Sequence, residues 1–414
     1  MPQRSSMSLI VASLPWHRQL RSVAALLVAL VVLAACGSSK VATPSPSTQG
    51  APPGPTAPTQ PVPTLPQMAH IKVALLLPLT GDQAALGESL LQAAQLALFE
   101  APDSNVELLV RDTGDSSFGA AQAAQDAINQ GAQLVLGPVF GSAVKEVAPV
   151  AQASGINVVS FSTDRSVAQP GVYVMGILPS LQVQRVVGYA SRQGLHRIAA
   201  LLPQSPYGQI MREALQTAAK GAKAQVVHVD FYDPRALDAS SAVGQTGQYI
   251  SSGGAVDALL VPETSERLHG ITGQFGNFGI DPTRVRLLGS TLWDDDPALG
   301  TDPNLVGAWY AAPNPGPWND FRNRFRAAYS TDPPRLATIA YDATLLAILL
   351  AGGPNGPEFT ATALTDPAGF SGVDGIFRFE GNGVVERGLA IMEIHDGFVD
   401  VREPAPTSFD QVIY

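Results

Sequence analysis

The chain has 414 residues, 45% of them hydrophobic, with 25 Lys and Arg against 35 Asp and Glu for a formal net charge of −10. That length exceeds what one core usually serves, so two lobes are expected. The five lysines are dispersed and form no basic stripe for nucleic acid, and a single cysteine leaves no intramolecular disulfide to hold the fold.

The first element is an uninterrupted apolar run over 23–35, preceded by His17, Arg18 and Arg21 and closing as Leu33-Ala34-Ala35-Cys36. It falls short of the roughly 20 residues a spanning helix needs and has the length of a signal-peptide core. The pattern resembles the lipobox of bacterial lipoproteins. That resemblance implies that 1–36 is a lipoprotein signal segment and that Cys36 carries the lipid, placing the protein in the periplasm, anchored to a membrane. With Gly37 next, the sorting rule of those lipoproteins points to the outer membrane. Residues 37–69 follow as a linker with nine prolines among Ser, Thr, Gly, Ala and Gln. Such a segment favours extended polyproline II and buries too little apolar surface to fold. At about 3.1 Å per residue it reaches at most roughly 100 Å.

From residue 70 short apolar runs alternate with amphipathic helices. Strands are expected over 71–77, 106–110, 134–136 and 156–160, with helices over 87–100, 118–130 and 142–153 between them. Gly131 supplies the left-handed stop after one of these helices. After Pro179 the rhythm resumes with helices over 181–193, 208–222, 240–251 and 266–278, and strands over 197–202, 225–231, 256–261 and 285–288. Repeated strand–helix–strand units specify parallel sheets covered on both faces, here two doubly wound α/β lobes. The tail departs from this, with helices over 320–329 and 336–351, then a strand over 375–379, the turn Glu380-Gly381-Asn382-Gly383, and a strand over 386–394, a hairpin signal. The chain therefore crosses between lobes more than once.

Several blocks resemble the type I periplasmic binding proteins, the leucine/isoleucine/valine-binding group in particular. They are Val73-Ala74-Leu75-Leu76-Leu77-Pro78-Leu79-Thr80-Gly81, Gly137-Pro138, Gly155-Ile156-Asn157-Val158-Val159-Ser160, Tyr207-Gly208, and 370–378 with Gly381-Asn382-Gly383. The resemblance covers about 71–394. It implies two lobes joined by three crossovers, expected near Gly176, Trp309 and Gly372, so that lobe 1 is 70–177 with 309–371 and lobe 2 is 178–308 with 372–414. It also implies a small-molecule ligand, an amino acid or related solute, in the cleft, a membrane permease as partner, and no catalysis. The same text is similar to lipoproteins that activate penicillin-binding proteins, through Phe161-Ser162-Thr163-Asp164-Arg165-Ser166 and Leu288-Gly289-Ser290-Thr291-Leu292-Trp293-Asp294. That similarity implies a peptidoglycan synthase as partner instead.

Ligands of open α/β sheets gather outside the carboxyl ends of the strands. Candidate ligand residues there are Thr80, then Phe140, Gly141 and Ser142 opening a helix whose N–H groups could hold a carboxylate, then Ser162 and Thr163. In the second lobe they are Tyr207, Glu263, Trp293 as a stacking platform or a packing residue, and Asp294. Within the resemblance, an amino-acid site needs a hydroxyl for the carboxylate and an acid for the ammonium. The family acid falls on Thr291, which leaves Asp294 or Glu263 to replace it, and the family serine falls on Gly141, with Ser142 next. A different small ligand, or none, stays open. No Gly-x-Ser-x-Gly elbow, phosphate loop or dinucleotide loop is present, and the six histidines show no metal-ligand spacing. Neither an enzyme nor a cofactor is expected.

Overall fold

The structure, a computed structural model, describes residues 70–236, 238–353 and 356–411. The signal segment, the linker and Cys36 lie outside the described residues.

The first lobe is built on a parallel sheet in the order β2-β1-β3-β4-β5. Its strands are β1 (Ile71–Leu77), β2 (Val106–Asp112), β3 (Leu134–Leu136), β4 (Val158–Ser160) and β5 (Val172–Val174). β1 runs in register with β2 from Ile71 opposite Val106 to Leu77 opposite Asp112. Helices α1 (Ala84–Phe99), α2 (Ser117–Asn129) and α3 (Gly141–Ala153) wrap the faces. Because both faces are covered, β1 reads as a continuous apolar run and Leu75, Leu76 and Leu77 are fully buried. Each contributes about 1.5–3 kcal/mol by leaving water. Ser116 starts α2 by accepting the Gly119 N–H at 3.0 Å.

The second lobe has a seven-stranded sheet in the order β15-β14-β10-β9-β8-β6-β7. Here β6 (Arg197–Pro203), β7 (Gln225–Tyr232), β8 (Ala258–Leu260), β9 (Arg286–Gly289) and β10 (Trp309–Ala312) are parallel. β14 (Ala390–His395) and β15 (Phe398–Glu403) close the sheet antiparallel. Four helices belong to this lobe, namely α4 (Pro179–Arg192), α5 (Pro206–Gly221), α6 (Ser240–Ser251) and α7 (Ser265–Thr272). β15 is an edge strand, and its outward Asp400 and Arg402 discourage pairing with another chain. A small antiparallel sheet, β11 (Phe370–Gly372), β12 (Gly375–Phe379) and β13 (Val385–Arg387), stands at the junction.

The connections between lobes correct two expectations. The first crossing follows β5 at 175–178, close to Gly176. Trp309, however, opens β10, pairing with Leu288 and Glu393 inside the larger sheet. The return therefore comes at 313–314, before α8 (Pro315–Tyr329). This helix and α9 (Ala337–Ala351) pack against α1 of the first lobe. Nor does the chain leave at Gly372. Val384 bridges Val174 at the edge of the first sheet, and the Val174 N–H donates to the Gly383 carbonyl at 2.9 Å, which ties the hairpin to the first lobe. The last crossing is at 388–389, between β13 and β14. The helix expected over 266–278 divides into α7 and a 3-10 turn, Phe275–Phe278.

Candidate ligand cleft

At the carboxyl edge of the first sheet, Asp112 organises the loops. Its carboxylate accepts the Thr80 hydroxyl at 2.6 Å and the N–H groups of Leu79, Thr80 and Gly114 at 2.9, 3.3 and 2.8 Å. Burial works to raise its pKa, but these donors together hold it below the ordinary aspartate value. The Thr80 hydroxyl proton is thus spent on shaping the loop.

The next loop behaves similarly. Ser162 is buried, accepts the Asp164 N–H at 3.0 Å and donates its own N–H to Ser160 at 3.1 Å. Asp164 backs onto Gly141, where a Cβ would lie 2.7 Å from its carboxylate oxygen. That contact explains why glycine stands where the resemblance wants serine. Phe140 opens α3 without a side-chain cap and is 41% exposed. The Asp164 carboxylate therefore lies against the start of α3. Ser142 and Thr163 are exposed beside it.

The second sheet brings different chemistry to its carboxyl edge. The Tyr232 hydroxyl, at the end of β7, donates to Glu263, which follows β8. Arg267 lies over the Tyr232 ring at 5.8 Å. Glu263 also accepts the Thr264 N–H at 3.2 Å. Tyr207, after β6, sits beside Ser290 and Glu263. Burial raises its pKa to about 12, with Glu263 adding to the rise and the Ser290 hydrogen bond opposing it. Burial and the Glu263 carboxylate drive Tyr232 up as well. Four strand ends therefore converge in one group of two phenols, a hydroxyl and a carboxylate.

Two expected residues fall elsewhere. Trp293 is fully buried, donates its indole N–H to the Val261 carbonyl at 3.1 Å and tilts against Tyr310 with ring centroids 5.8 Å apart. It is a packing residue and not a stacking platform, because Gly289 gives its ring a flat seat in the core. Asp294 is turned toward the hinge, 3.6 Å from Arg335 and 3.2 Å from the Tyr310 hydroxyl. Thr291 is also committed to structure, with its N–H on the Gln182 side chain at 2.9 Å and its hydroxyl on the Ala311 carbonyl at 3.0 Å. Of the two stand-ins for the family acid, Glu263 alone lies among the phenols. Tyr232 and Ser290 were missed, although both sit at strand ends where the same rule would have found them.

A cavity of about 690 Å³ lies between the loop Thr163–Ser166 of the first lobe and the crease between α4 and α5. Leu178, Gln184, Ile210 and Glu213 line it, and Thr163 is the one expected residue it contains. None of Tyr207, Tyr232, Glu263 or Ser290 lines it. Among the described residues no helix is long and apolar enough to cross a membrane.

Two sheet-based lobes joined by three crossings of the chain define the two-lobed solute-binding class. The chain belongs to the periplasmic binding protein family, whose profile matches residues 70–398. The substrate binding protein LivJ of a branched-chain amino acid transporter from Streptococcus pneumoniae, in complex with isoleucine, superposes with a TM-score of 0.58 at 19% identity, over 81% of this chain and 100% of that one. A solute binding protein of an ABC transporter from Rhodopseudomonas palustris BisB5, in complex with 3,4-dihydroxybenzoic acid, gives 0.62 at 16% identity, over 83% and 98%. The penicillin-binding protein activator LpoA of Haemophilus ducreyi is 30% identical over 143 residues, 34% of this chain and 24% of that protein. The chain spans less than half the length of the curated relatives it matches. At these identities the solved structures establish the fold.

Proposed function

We propose that this protein is a lipid-anchored, non-catalytic receptor that captures a small polar solute between its lobes and presents it to an ABC-type permease. The observation that carries the reading is the convergence of Tyr207, Tyr232, Glu263 and Ser290 at the carboxyl edge of the second sheet. The first sheet offers the exposed Ser142 and Thr163 near the start of α3. Glu263 offers an anion for a cationic group, the phenols offer faces and hydroxyls, and the Ser142 and Thr163 hydroxyls suit a carboxylate. This arrangement fits an amino acid or a related polar acid better than a purely apolar solute. Capture would proceed by a shift from open to closed lobes, driven by contacts made only when closed. The lipid on Cys36 and the outer-membrane address belong to the same proposal, resting on the sequence pattern.

Thermal unfolding with the common amino acids and with 3,4-dihydroxybenzoate tests it. A ligand at 100 times its Kd stabilises by about 2.7 kcal/mol. The expected outcome is a rise in midpoint with one chemical class that disappears in Glu263→Gln while the unliganded midpoint barely moves. A flat response across the panel would sink solute capture.

A second reading is favoured by the match to the penicillin-binding protein activators, which exceeds in identity the match to either amino-acid or aromatic-acid receptor above. In that case the lobes touch a peptidoglycan synthase. Stimulation of a purified synthase by this chain, with no solute shift, would select it.

A further inference from the structure

Where the lobes join, a set of ionisable side chains stands apart from the ligand cleft. Asp342 of α9, Asp374 in the β11–β12 turn and Arg387 of β13 are 2%, 0% and 1% exposed. Arg335, just before α9, has its side chain 10% exposed and bridges outward. It lies 2.7 Å from Asp374 and 3.6 Å from Asp294 of the second lobe, with its guanidinium over Trp318 at 4.5 Å. Thr338 donates to Asp374 at 2.6 Å. Arg387 donates to the Met175 carbonyl at 2.9 Å and lies over Phe377. The cluster thus touches the first crossing through Met175 and the last through Arg387, and it reaches the second lobe through Asp294.

Its charges do not balance. Two guanidiniums, which stay charged at any ordinary pH, face three carboxylates on Asp294, Asp342 and Asp374, with Asp295 also close to Arg335. One net negative charge shut away from water is unfavourable, and a proton is the simplest relief. Asp342 is where it would sit. One of its oxygens accepts the Val373 N–H at 2.9 Å, while the other, Oδ2, is buried without a partner. Burial and the Asp374 charge push its carboxyl up to about 7, with the Val373 N–H and Arg387 pulling the other way. The charged groups on the neighbouring helices turn elsewhere, since Glu100 of α1 and Arg324 of α8 both meet Tyr341.

We propose that the hinge stores one proton on Asp342, and that its release shifts the lobes toward the open arrangement. The coupling is direct. Once ionised, Asp342 Oδ2 is a buried charge without a hydrogen bond, and hydrating it requires the packing around Asp374 and Arg335 to loosen, where the contact to Asp294 spans the lobes. The device rests on the two-lobed fold alone and is independent of which solute, if any, the cleft takes.

The test uses the full chain in a Cys36→Ser background. Infrared spectra with labelled aspartate follow carboxyl protonation, and spin labels at Gln122 and Lys220 report lobe separation, each at about pH 5.5 and about pH 8.5. A protonated carboxyl band at the lower pH that is gone at the higher one, absent from Asp342→Asn, is expected. The label separation should widen with pH in the parent and stay fixed in that variant. Asp294→Asn, which leaves Asp342 in place should Asp342→Asn fail to fold, should keep the band and lose the pH response of the separation. A parent without the band, or a pH response surviving in either variant, would overturn the proposal.

Discussion

The two lobes share a plan and differ in what they place at their carboxyl edges. The first holds its loops with short local ties, Asp112 gathering Thr80 and three N–H groups, and Asp164 fixed by Ser162. What it presents outward is backbone and hydroxyl. The second gathers phenols and carboxylates from distant strands, Tyr207, Tyr232 and Glu263, and holds His269 between Asp296 and Asp302 at 2.8 Å each. Its chemistry is titratable and depends on tertiary packing. A fold repeated twice can therefore carry different chemistry at equivalent edges, tied loops in one copy and a packed titratable group in the other.

The sharpest way to break this comparison is Trp293→Ala. Emptying a fully buried aromatic site in the second lobe should cost about 3–5 kcal/mol, and chemical unfolding should then show that lobe melting first. A single transition displaced by less than about 1 kcal/mol would mean the lobes do not differ in this way. Next comes Asp112→Ala, which strips the acceptor from the first lobe's loops. Because the site is exposed, the expected loss is about 1 kcal/mol. The folded pKa of Asp112 is depressed, so its contribution is present above the unfolded value of 3.8 and fades as pH falls through the folded one. A parent-minus-variant difference that persisted at the acid end would contradict that assignment.

Matched helix caps sharpen the comparison at smaller scale. Ser116→Ala in the first lobe and Ser205→Ala in the second each remove one acceptor for an N–H, from Gly119 and Gly208. Each should lower the midpoint by an amount equivalent to about 1 kcal/mol, and equally. The smallest effect is expected at His269. Burial opposes its protonation, but the Asp302 and Asp296 carboxylates outweigh it and raise the pKa above 6.5. Its stabilisation is thus complete below the unfolded value and lost as pH rises through the folded one. The stability gap between parent and His269→Asn should shrink by a few tenths of a kcal/mol to about 1 kcal/mol toward alkaline pH, and a gap that grew would reverse the assignment.

Much of the fold was legible because buried parallel strands announce themselves. The limits of β1 and β3 read from the sequence agree with the structure to the residue. β5 escaped notice because three residues, Val172–Val174, are too short to show a period, and β15 because Asp400, Arg402 and Glu403 hide a half-exposed edge. Trp309–Ala312 was taken for a crossover because nothing local says that β14, some eighty residues later, will pair with it. At the candidate site, strand-end rules singled out Tyr207 and Glu263, which the structure brings side by side. The sequence left Trp293 open between platform and packing and placed Asp294 at the cleft, because the choice depends on Gly289, Tyr310 and Arg335, groups that only tertiary structure brings near.

The late return of β14 also bears on how the molecule is made. Every strand of the first sheet has emerged once Val174 leaves the ribosome. The second sheet keeps the outer edge of β10 bare until Ala390–His395 appears, after three helices and a small sheet of the other lobe have been synthesised. During that interval the nascent chain exposes one unpaired edge of an apolar strand, Trp309–Ala312, to any neighbour able to add to it. A growing chain of this architecture thus has a defined stretch of translation in which a holding chaperone would matter most.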